Sequence, residues 1–456
     1  MLGTECGIRA TPVTGGPNME RKMEHKEVRV GVVGYGTVGR ATTEILTRHA
    51  EEICARTGGI ALRVVRIGRR TGDGQESPVC GIAIESGWRN IVSAEEVDIV
   101  VEAIGGVDVA YDVVRSSLEN NKAVVTANKA LIARHGEELF ALAARRQLPI
   151  GIEATVGGGI PIIRAIADAL AGDRIQSIYG IINGTCNFIL GRMEKEGIEF
   201  SQALAEAQAA GYAEADPSLD IDGLDARDKI SILARLAFRG AVPPEQIPAA
   251  GIRQIAATDF HYASRLESTI RLLACAERTP HGFALSVRPW LVARGSMLAK
   301  VDGPNNAIFL AGESAGTQMF YGEGAGGGAT GTAVLSDVVQ IARNLAHGQR
   351  APNAHLGFQH CEPLPLCESP KPVSWYLRLT VKDRPGILAQ AAQAIAQEGI
   401  NIDSVIQEPH MAKEKLSFVI TLEPIGESVV QRAVRAINQF EFMLEPVLML
   451  PVVDGN

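Results

Sequence analysis

The sequence lacks any pair of cysteines at C-x-x-C spacing. Its seven cysteines are scattered from Cys6 to Cys367. An odd, dispersed count in a chain this long fits a reduced cytoplasmic setting better than a disulfide framework. No window reaches the ~18 continuous apolar residues of a membrane span. No apolar core of signal-peptide length precedes the charged run Glu20-Arg21-Lys22. Blocks of like charge are missing too, and 44 basic against 52 acidic residues leave a formal net charge of −8. That balance offers neither a nucleic-acid surface nor a charged tail. Glycine, by contrast, is plentiful: 48 residues, many beside apolar runs, as in a protein whose backbone approaches ligands closely. At roughly 150 residues per domain, a chain of 456 is expected to hold about three. Its 46% hydrophobic and 21% charged residues make a globular balance.

Residues 1–26 read as a disordered leader or an overlong start. From Val28 the pattern becomes apolar strand, glycine turn, helix. Strand candidates are Val28–Val33, Leu62–Ile67, Asp98–Ile104, Ala123–Thr126 and Leu148–Ile152. Helical character falls at Thr37–Ala50, Val109–Glu119 and Gly136–Gln147. This alternation predicts a parallel sheet covered on both faces, a Rossmann-type α/β domain over 27–152. The rhythm then changes. A helix from Pro161 to Leu170, a strand Ile175–Ile182 and helices Phe200–Ala210 and Asp222–Phe238 outline an α+β middle domain over 153–321. The glycine-rich stretch Gly322–Thr332 and the helix after it, to residue 348, read as a return to the first domain. Five prolines in 349–373 mark a linker. The order in 374–450 is βαββαβ, a ferredoxin-like unit: strand Trp375–Val381, helix Ile387–Glu398, strands Ile400–Ile406 and Leu416–Leu422, helix Val429–Asn438 and a last strand.

Gly34-Tyr35-Gly36-Thr37-Val38-Gly39 follows the first strand and opens the first helix. Gly34 permits a tight turn, Gly36 a close approach to a pyrophosphate, and Gly39 close packing of helix on strand. The helix start faces the anion. A carboxylate normally ends the second strand and holds the ribose 2′-hydroxyl. Here the sequence is Ile67-Gly68-Arg69-Arg70, and arginine there accommodates a 2′-phosphate, which favours NADP over NAD; two solvated surface arginines are the alternative. Thr126-Ala127-Asn128-Lys129 lies beyond the carboxyl end of a strand, where open α/β sheets bind ligands, although a lone lysine is more often surface charge. Glu153-Ala154-Thr155-Val156-Gly157-Gly158-Gly159-Ile160-Pro161 joins a carboxylate to a run of carbonyls, as a hard cation requires. The residues alone favour a hinge. Gly211 to Pro217, continuing through Asp220, Asp222, Asp225 and Lys229, is the densest polar cluster. Asp225 and Lys229 share a face of a predicted helix that is otherwise apolar. Carboxylates there suit a substrate ammonium, and a lysine suits proton transfer. Cys186, after a strand and near a helix start, is a conceivable nucleophile. A small buried cysteine is the reading we favour.

In this order the pieces resemble homoserine dehydrogenase with a C-terminal ACT domain. The resemblance is carried by Gly34–Gly39, 98–106, Thr126–Lys129, Glu153–Pro161, Ile182–Asn187, Gly211–Lys229 and 324–330. It covers about 28–345 for the enzyme and 374–450 for the ACT unit. The stretch before residue 28 is too short for a kinase half, so the expected type is monofunctional. The resemblance implies reversible oxidation of L-homoserine to L-aspartate 4-semialdehyde with NAD(P), and a homodimer through the middle domain. By position, Lys229 resembles the general acid/base and Lys129 the second lysine near the reacting oxygen and cofactor. Glu214 and Asp225 resemble the substrate-binding carboxylates. Tyr35, Thr37 and Val38 line up with the phosphate loop, and Gly211 and Gly326 with further cofactor contacts. A monovalent cation, Na+, would take the Glu153 carboxylate and the carbonyls of Val156, Gly158 and Ile160, which turns the hinge reading into a metal site through resemblance alone. The turn Asp383-Arg384-Pro385-Gly386 resembles the loop where ACT domains receive small amino acids, with L-threonine the first expectation. Two other readings stay open at this point: an aspartate-semialdehyde dehydrogenase-like enzyme using Cys186, and a catalytically silent amino-acid sensor.

Overall fold

A computed structural model describes residues 26–69, 81–358, 362–408 and 414–453. The expected leader, apart from its last residue, and Arg70 lie outside the described residues.

Short strands of two to nine residues, rich in valine and isoleucine, build the first sheet, and burial on both faces explains why its central strands do not alternate. Its six strands lie in the order Ile84–Ser86, Ala61–Arg69, Glu27–Val33, Ile99–Glu102, Ala123–Thr126 and Ile150–Gly151. All pair in parallel. The chain therefore starts in the middle, builds one half outward, then crosses and builds the other. The reversal falls between Glu27–Val33 and Ile99–Glu102, and the crevice beyond the carboxyl ends of those two strands is where such sheets bind ligands.

Two other features shape that crevice. The helix expected from Gly136 begins at Lys129, because Asn128 caps it, its side chain accepting from Leu131 N at 3.1 Å. The cap puts Lys129 at the mouth of the crevice instead of in a loop. The helix Gly327–Ala346 comes back to pack on Thr37–Arg48, and a Cβ on Gly331 would stand 3.1 Å from Thr42 N. Close helix contact there depends on small residues.

The second sheet has nine strands and joins the middle and C-terminal units. Leu448–Val453 makes the seam: it pairs in parallel with Gly282–Ala293 on one side and antiparallel with Val373–Val381 on the other. Beyond the seam, Val373–Val381, Leu416–Ile425 and Ile402–Gln407 complete the βαββαβ unit. A buried polar cluster crosses the same seam, Asp259 accepting from Tyr376 Oη at 2.7 Å and from the Arg378 guanidinium.

The middle domain departs most from expectation. Its hairpins, Ser268–Thr279 with Gly282–Ala293 and Asn305–Gly312 with Gly316–Glu323, have no counterpart in the sequence reading. Ser268–Ala276 is buried throughout, Arg271 included, so no period-2 signal marks it. The helix expected over Pro161–Leu170 holds α geometry only at Ile162–Arg164 and then widens to a π-type turn over Ala165–Ala169. The helix expected from Asp222 starts at Leu224, after Gly223 with φ +78°. The proline-rich linker is a docked strap: Phe358 stacks on Phe140 at 4.5 Å between ring centroids, and Pro363 and Leu366 bridge to Ala241 and Phe283.

Candidate active site

Three segments converge at one carboxylate. The strand Ile175–Ile181 delivers Ile182 and Asn183 at its end, and Asn183 caps the helix Gly184–Glu196 by accepting from Cys186 N at 2.8 Å. The helix Leu224–Phe238 carries Asp225 in its first turn, where the helix dipole favours negative charge, and Lys229 one turn on. The helix Lys129–Arg146, from the nucleotide domain, contributes its first residue.

Lys229 Nζ donates to Asp225 Oδ2 at 2.7 Å and to the Ile182 carbonyl at 2.8 Å. Lys129 Nζ lies 2.8 Å from Asp225 Oδ1. Asn183 Nδ2 donates to Asp225 Oδ2 at 2.9 Å and to Asp220 Oδ1 at 2.7 Å. Asp225 and Lys229 are buried, whereas the Lys129 side chain is 40% exposed and faces the opening. Burial pushes the Asp225 carboxyl up, but Lys229 and then Lys129 outweigh it and hold the group well below the usual carboxylate range. The Asp225 charge in turn raises the Lys129 ammonium against its partial burial. Lys129 is thus a standing positive charge at neutral pH. Asp220 goes the other way, raised by burial and by the neighbouring Asp225.

Cys186 sits beneath this cluster, fully buried, its Sγ 3.2 Å from the Asp220 carbonyl. Burial and then the surrounding aspartates raise its thiol well above the ordinary value. A reactive cysteine needs the opposite, an accessible thiolate.

Glu214 is not joined to the cluster. It lies exposed on the turn after the helix Phe200–Ala209, and its carbonyl accepts from Gln208 Nε2 at 3.1 Å. Gly211 opens that turn with φ +77°, and Thr185 Oγ1 pins it by donating to the Tyr212 carbonyl at 2.7 Å.

The glycine loop is shaped for a phosphate. Gly34 has φ +102°, and a Cβ there would lie 2.4 Å from the Ala103 carbonyl. A Cβ on Gly39 would come within 1.9 Å of the Gly34 carbonyl, whereas nothing lies within 4 Å at Gly36. Its neighbours Tyr35 and Val38 pack on the nucleotide-domain core. Gly36 caps Thr37–Arg48 and Gly326 caps Gly327–Ala346, neither helix with a side-chain cap. A Cβ on Gly327 would stand 3.2 Å from the Thr37 carbonyl, so the two helix starts lie side by side. Their first-turn N–H groups suit a pyrophosphate. At the end of the second strand, Arg66 occupies the nearby acids, 2.7 Å from Glu85 and 2.5 Å from Glu96. Arg69 is the last described residue of that strand, and its carbonyl accepts from Gly87 N at 2.8 Å.

In the segment Glu153–Pro161 the carboxylate is already engaged within the chain. Glu153 Oε1 accepts from Ile163 N at 2.9 Å and Oε2 from Arg164 N at 3.1 Å. The Arg164 guanidinium adds a positive charge 3.5 Å away. Burial, and after it the Asp337 charge, raise the Glu153 carboxyl to about 7. The Ile160 carbonyl accepts from Ile162 N at 2.8 Å, leaving its second lone pair. No cluster of three or more His, Cys, Asp or Glu side chains suited to a metal occurs among the described residues.

Sequence reasoning singled out Lys229, Asp225 and Lys129, and the structure brings all three together. It missed Asn183 and the Ile182 carbonyl as members of the site. The cap pattern Asn183-Gly184-Thr185, directly after an apolar strand, was the available signal.

Three family profiles match in sequence order: the NAD-binding domain of homoserine dehydrogenase over residues 34–153, homoserine dehydrogenase over 161–339, and the ACT domain over 375–442. The homoserine dehydrogenase of Pseudomonas aeruginosa is 39% identical over 442 residues, covering 94% of this chain and all of that one. That of Helicobacter pylori is 37% identical, covering 93% and 99%. A crystal structure of homoserine dehydrogenase from Thiobacillus denitrificans superposes with a TM-score of 0.87 at 38% identity, covering 94% of this chain and 99% of that one. A hyperthermophilic archaeal homoserine dehydrogenase in complex with NADPH superposes with a TM-score of 0.59 at 29% identity over 69% of this chain and 97% of that one.

Proposed function

The chain belongs to the homoserine dehydrogenase family, and on that footing we propose that Lys229 is the general acid/base of its reaction. The reaction interconverts L-homoserine and L-aspartate 4-semialdehyde with a nicotinamide nucleotide. The observation that carries the proposal is the carboxylate of Asp225, buried and bridging Lys229 to Lys129 across two domains. Such a bridge fixes both ammonium groups at one place, beside the opening between the units. When bound, the nucleotide supplies the hydride chemistry; Gly34, Tyr35, Gly36, Thr37, Val38, Gly39, Gly211 and Gly326 are the residues proposed to hold it. In the oxidative direction Lys229, as the neutral amine, takes the proton from the substrate hydroxyl oxygen and becomes the ammonium. In the reductive direction it returns the proton to that oxygen. Lys129, its charge reinforced by Asp225, stabilises negative charge developing on the same oxygen. Asp225 already takes three donors, so its main part is to hold the lysines, while exposed Glu214 meets the substrate ammonium.

The absence of a carboxylate over Ile67–Arg70 supports NADP as the preferred nucleotide, with Arg69 and Arg70 meeting the 2′-phosphate. A monovalent cation such as Na+ would be held by the carbonyls of Val156, Gly158 and Ile160. Glu153, engaged with the Ile163 and Arg164 N–H groups, anchors that loop. L-Threonine is the proposed effector at Asp383–Gly386; Gly386 has φ +90° and starts Ile387–Gln397 without a side-chain cap. A cytoplasmic homodimer through the middle domain completes the reading. Among the described residues no helix is long and apolar enough to cross a membrane. The deciding assay is homoserine-dependent reduction of NAD and of NADP, each tried alone. Absence of turnover with both would overturn the reading.

A further inference from the structure

Glu102 is the one charged residue in the apolar strand Ile99–Glu102, and it is fully buried. It stands at the strand's carboxyl end, beside the point where the first sheet reverses direction. An ionisable group in such a place is costly unless its oxygens are occupied, and here both are. Oε1 accepts from Ile104 N at 2.6 Å, and Oε2 accepts from the Thr126 hydroxyl. Thr126 Oγ1 in turn accepts from Asn128 N at 3.0 Å. Asn128 then works in two directions. Its Oδ1 caps the helix Lys129–Arg146 by accepting from Leu131 N, and its Nδ2 donates to the carbonyls of Ile104 at 3.3 Å and Gly106 at 2.5 Å.

The chain of contacts is closed. Glu102 holds the loop after one strand by its backbone and the end of the next strand by its hydroxyl. Asn128 ties the same loop to the first turn of the helix whose first residue is Lys129. The loop also borders the phosphate turn, since Ala103 N donates to the Val33 carbonyl at 2.8 Å and a Cβ on Gly34 would strike the Ala103 carbonyl. Among the described residues no hydrogen bond joins this network directly to Asp225 or Lys229. It reaches their helix through Lys129–Arg146, by Lys129 on Asp225 and, one turn on, by Arg134 on Asp228 at 3.2 Å.

We propose that Glu102, acting through Thr126 and Asn128, is a positioning residue that sets Lys129 against Asp225. The inference rests on the proposed role of Lys129 in the reaction. Burial raises the Glu102 carboxyl to about 7, consistent with a group kept for its hydrogen bonds and not for a fixed charge. Small misplacements of a reacting group are expensive: a shift of about 1 Å can cost on the order of 100-fold in rate.

The test is a double-mutant cycle on the full chain. Thr126→Val removes the hydroxyl at nearly constant volume, and Glu102→Gln removes the charge at constant shape. Each is made alone and with Lys129→Ala, and kcat, KM for homoserine and thermal midpoint are measured. The expected result is a roughly 10- to 100-fold fall in kcat for Thr126→Val, a smaller fall for Glu102→Gln, and no further fall when either is added to Lys129→Ala, because residues acting through one another are not additive. Falls of equal factor in both backgrounds would mean the network acts elsewhere, and would overturn the inference while leaving Lys129 in the site. Unchanged kcat in Thr126→Val would overturn it as well. Full turnover in Lys129→Ala alone would sink the role of Lys129, and the inference with it. If Glu102→Gln fails to fold, Thr126→Val carries the cycle by itself.

Discussion

Lys129 and Lys229 come from helices of different domains, yet they hold opposite oxygens of one carboxylate, 2.8 Å from Asp225 Oδ1 and 2.7 Å from Oδ2. The relationship makes the relative position of the nucleotide and substrate units part of the chemistry. Any motion that opens the crevice stretches the Lys129 contact first, since Lys229 and Asp225 ride on the same helix.

Removing the shared carboxylate should therefore be severe. Asp225→Ala leaves two ammonium groups without their counter-charge, one of them buried, and breaking a buried pair in this way costs about 3–5 kcal/mol. Asp225→Asn keeps the shape and, through its one amide oxygen, a single lysine contact but not the charge, so it should be the milder of the two. Denaturant unfolding of both variants checks the order. Equal stability of Asp225→Ala and the parent would contradict the account of the site.

How far the sequence foretold this can be judged from individual residues. Asp225 and Lys229 were legible because a helix period of 3.6 puts positions four apart on one face. The crevice was legible from Gly34 and Gly39, whose backbone approaches admit no side chain. Asn183 was not, because a cap residue signals only a helix start, and its second bond, to Asp225, depends on tertiary approach. The hairpin Ser268–Ala293 was not legible either: burial of both its faces at Ser268–Ala276 erases the alternation on which strand reading relies. Arg271, buried there, is held by Glu194 at 2.9 Å, a partner 77 residues away in sequence.

Cofactor choice follows from the end of the second strand. NADP is expected to be used with a higher kcat/KM than NAD, and Arg69→Ala with Arg70→Ala should erase the difference. Steady-state kinetics with both nucleotides measures it. A parent enzyme that prefers NAD would remove the 2′-phosphate role of these arginines.

The buried Glu102 has a pH signature. Its folded value of about 7 lies above the unfolded value of about 4.3. The native state therefore binds the extra proton between those values, and this group's contribution to stability falls as pH rises from about 4.3 to 7. Its facing groups are the Thr126 hydroxyl and the Ile104 N–H, and among the described residues no charged partner reverses the sign. Relative to the parent, the thermal midpoint of Glu102→Gln should improve from pH 5 to pH 8. A pH-independent difference would contradict the raised value.

Regulation is tested on the intact chain, because the seam strand Leu448–Val453 belongs to both units. L-Threonine should inhibit the parent, with a coupling of typically about 1–3 kcal/mol. Gly386→Val, which places a branched side chain at φ +90°, should lose that inhibition and keep basal turnover. Absence of any response in the parent, or undiminished inhibition in the variant, defeats the assignment.

The central claim is that Lys229 moves the substrate proton, and turnover of Lys229→Ala measures it most directly. The variant is assayed for homoserine oxidation at saturating nucleotide, with circular dichroism confirming that it is folded. The account predicts a loss of about 10²–10⁴-fold in kcat, the usual worth of general acid/base help. A folded Lys229→Ala protein that turns over near the parent rate would contradict it.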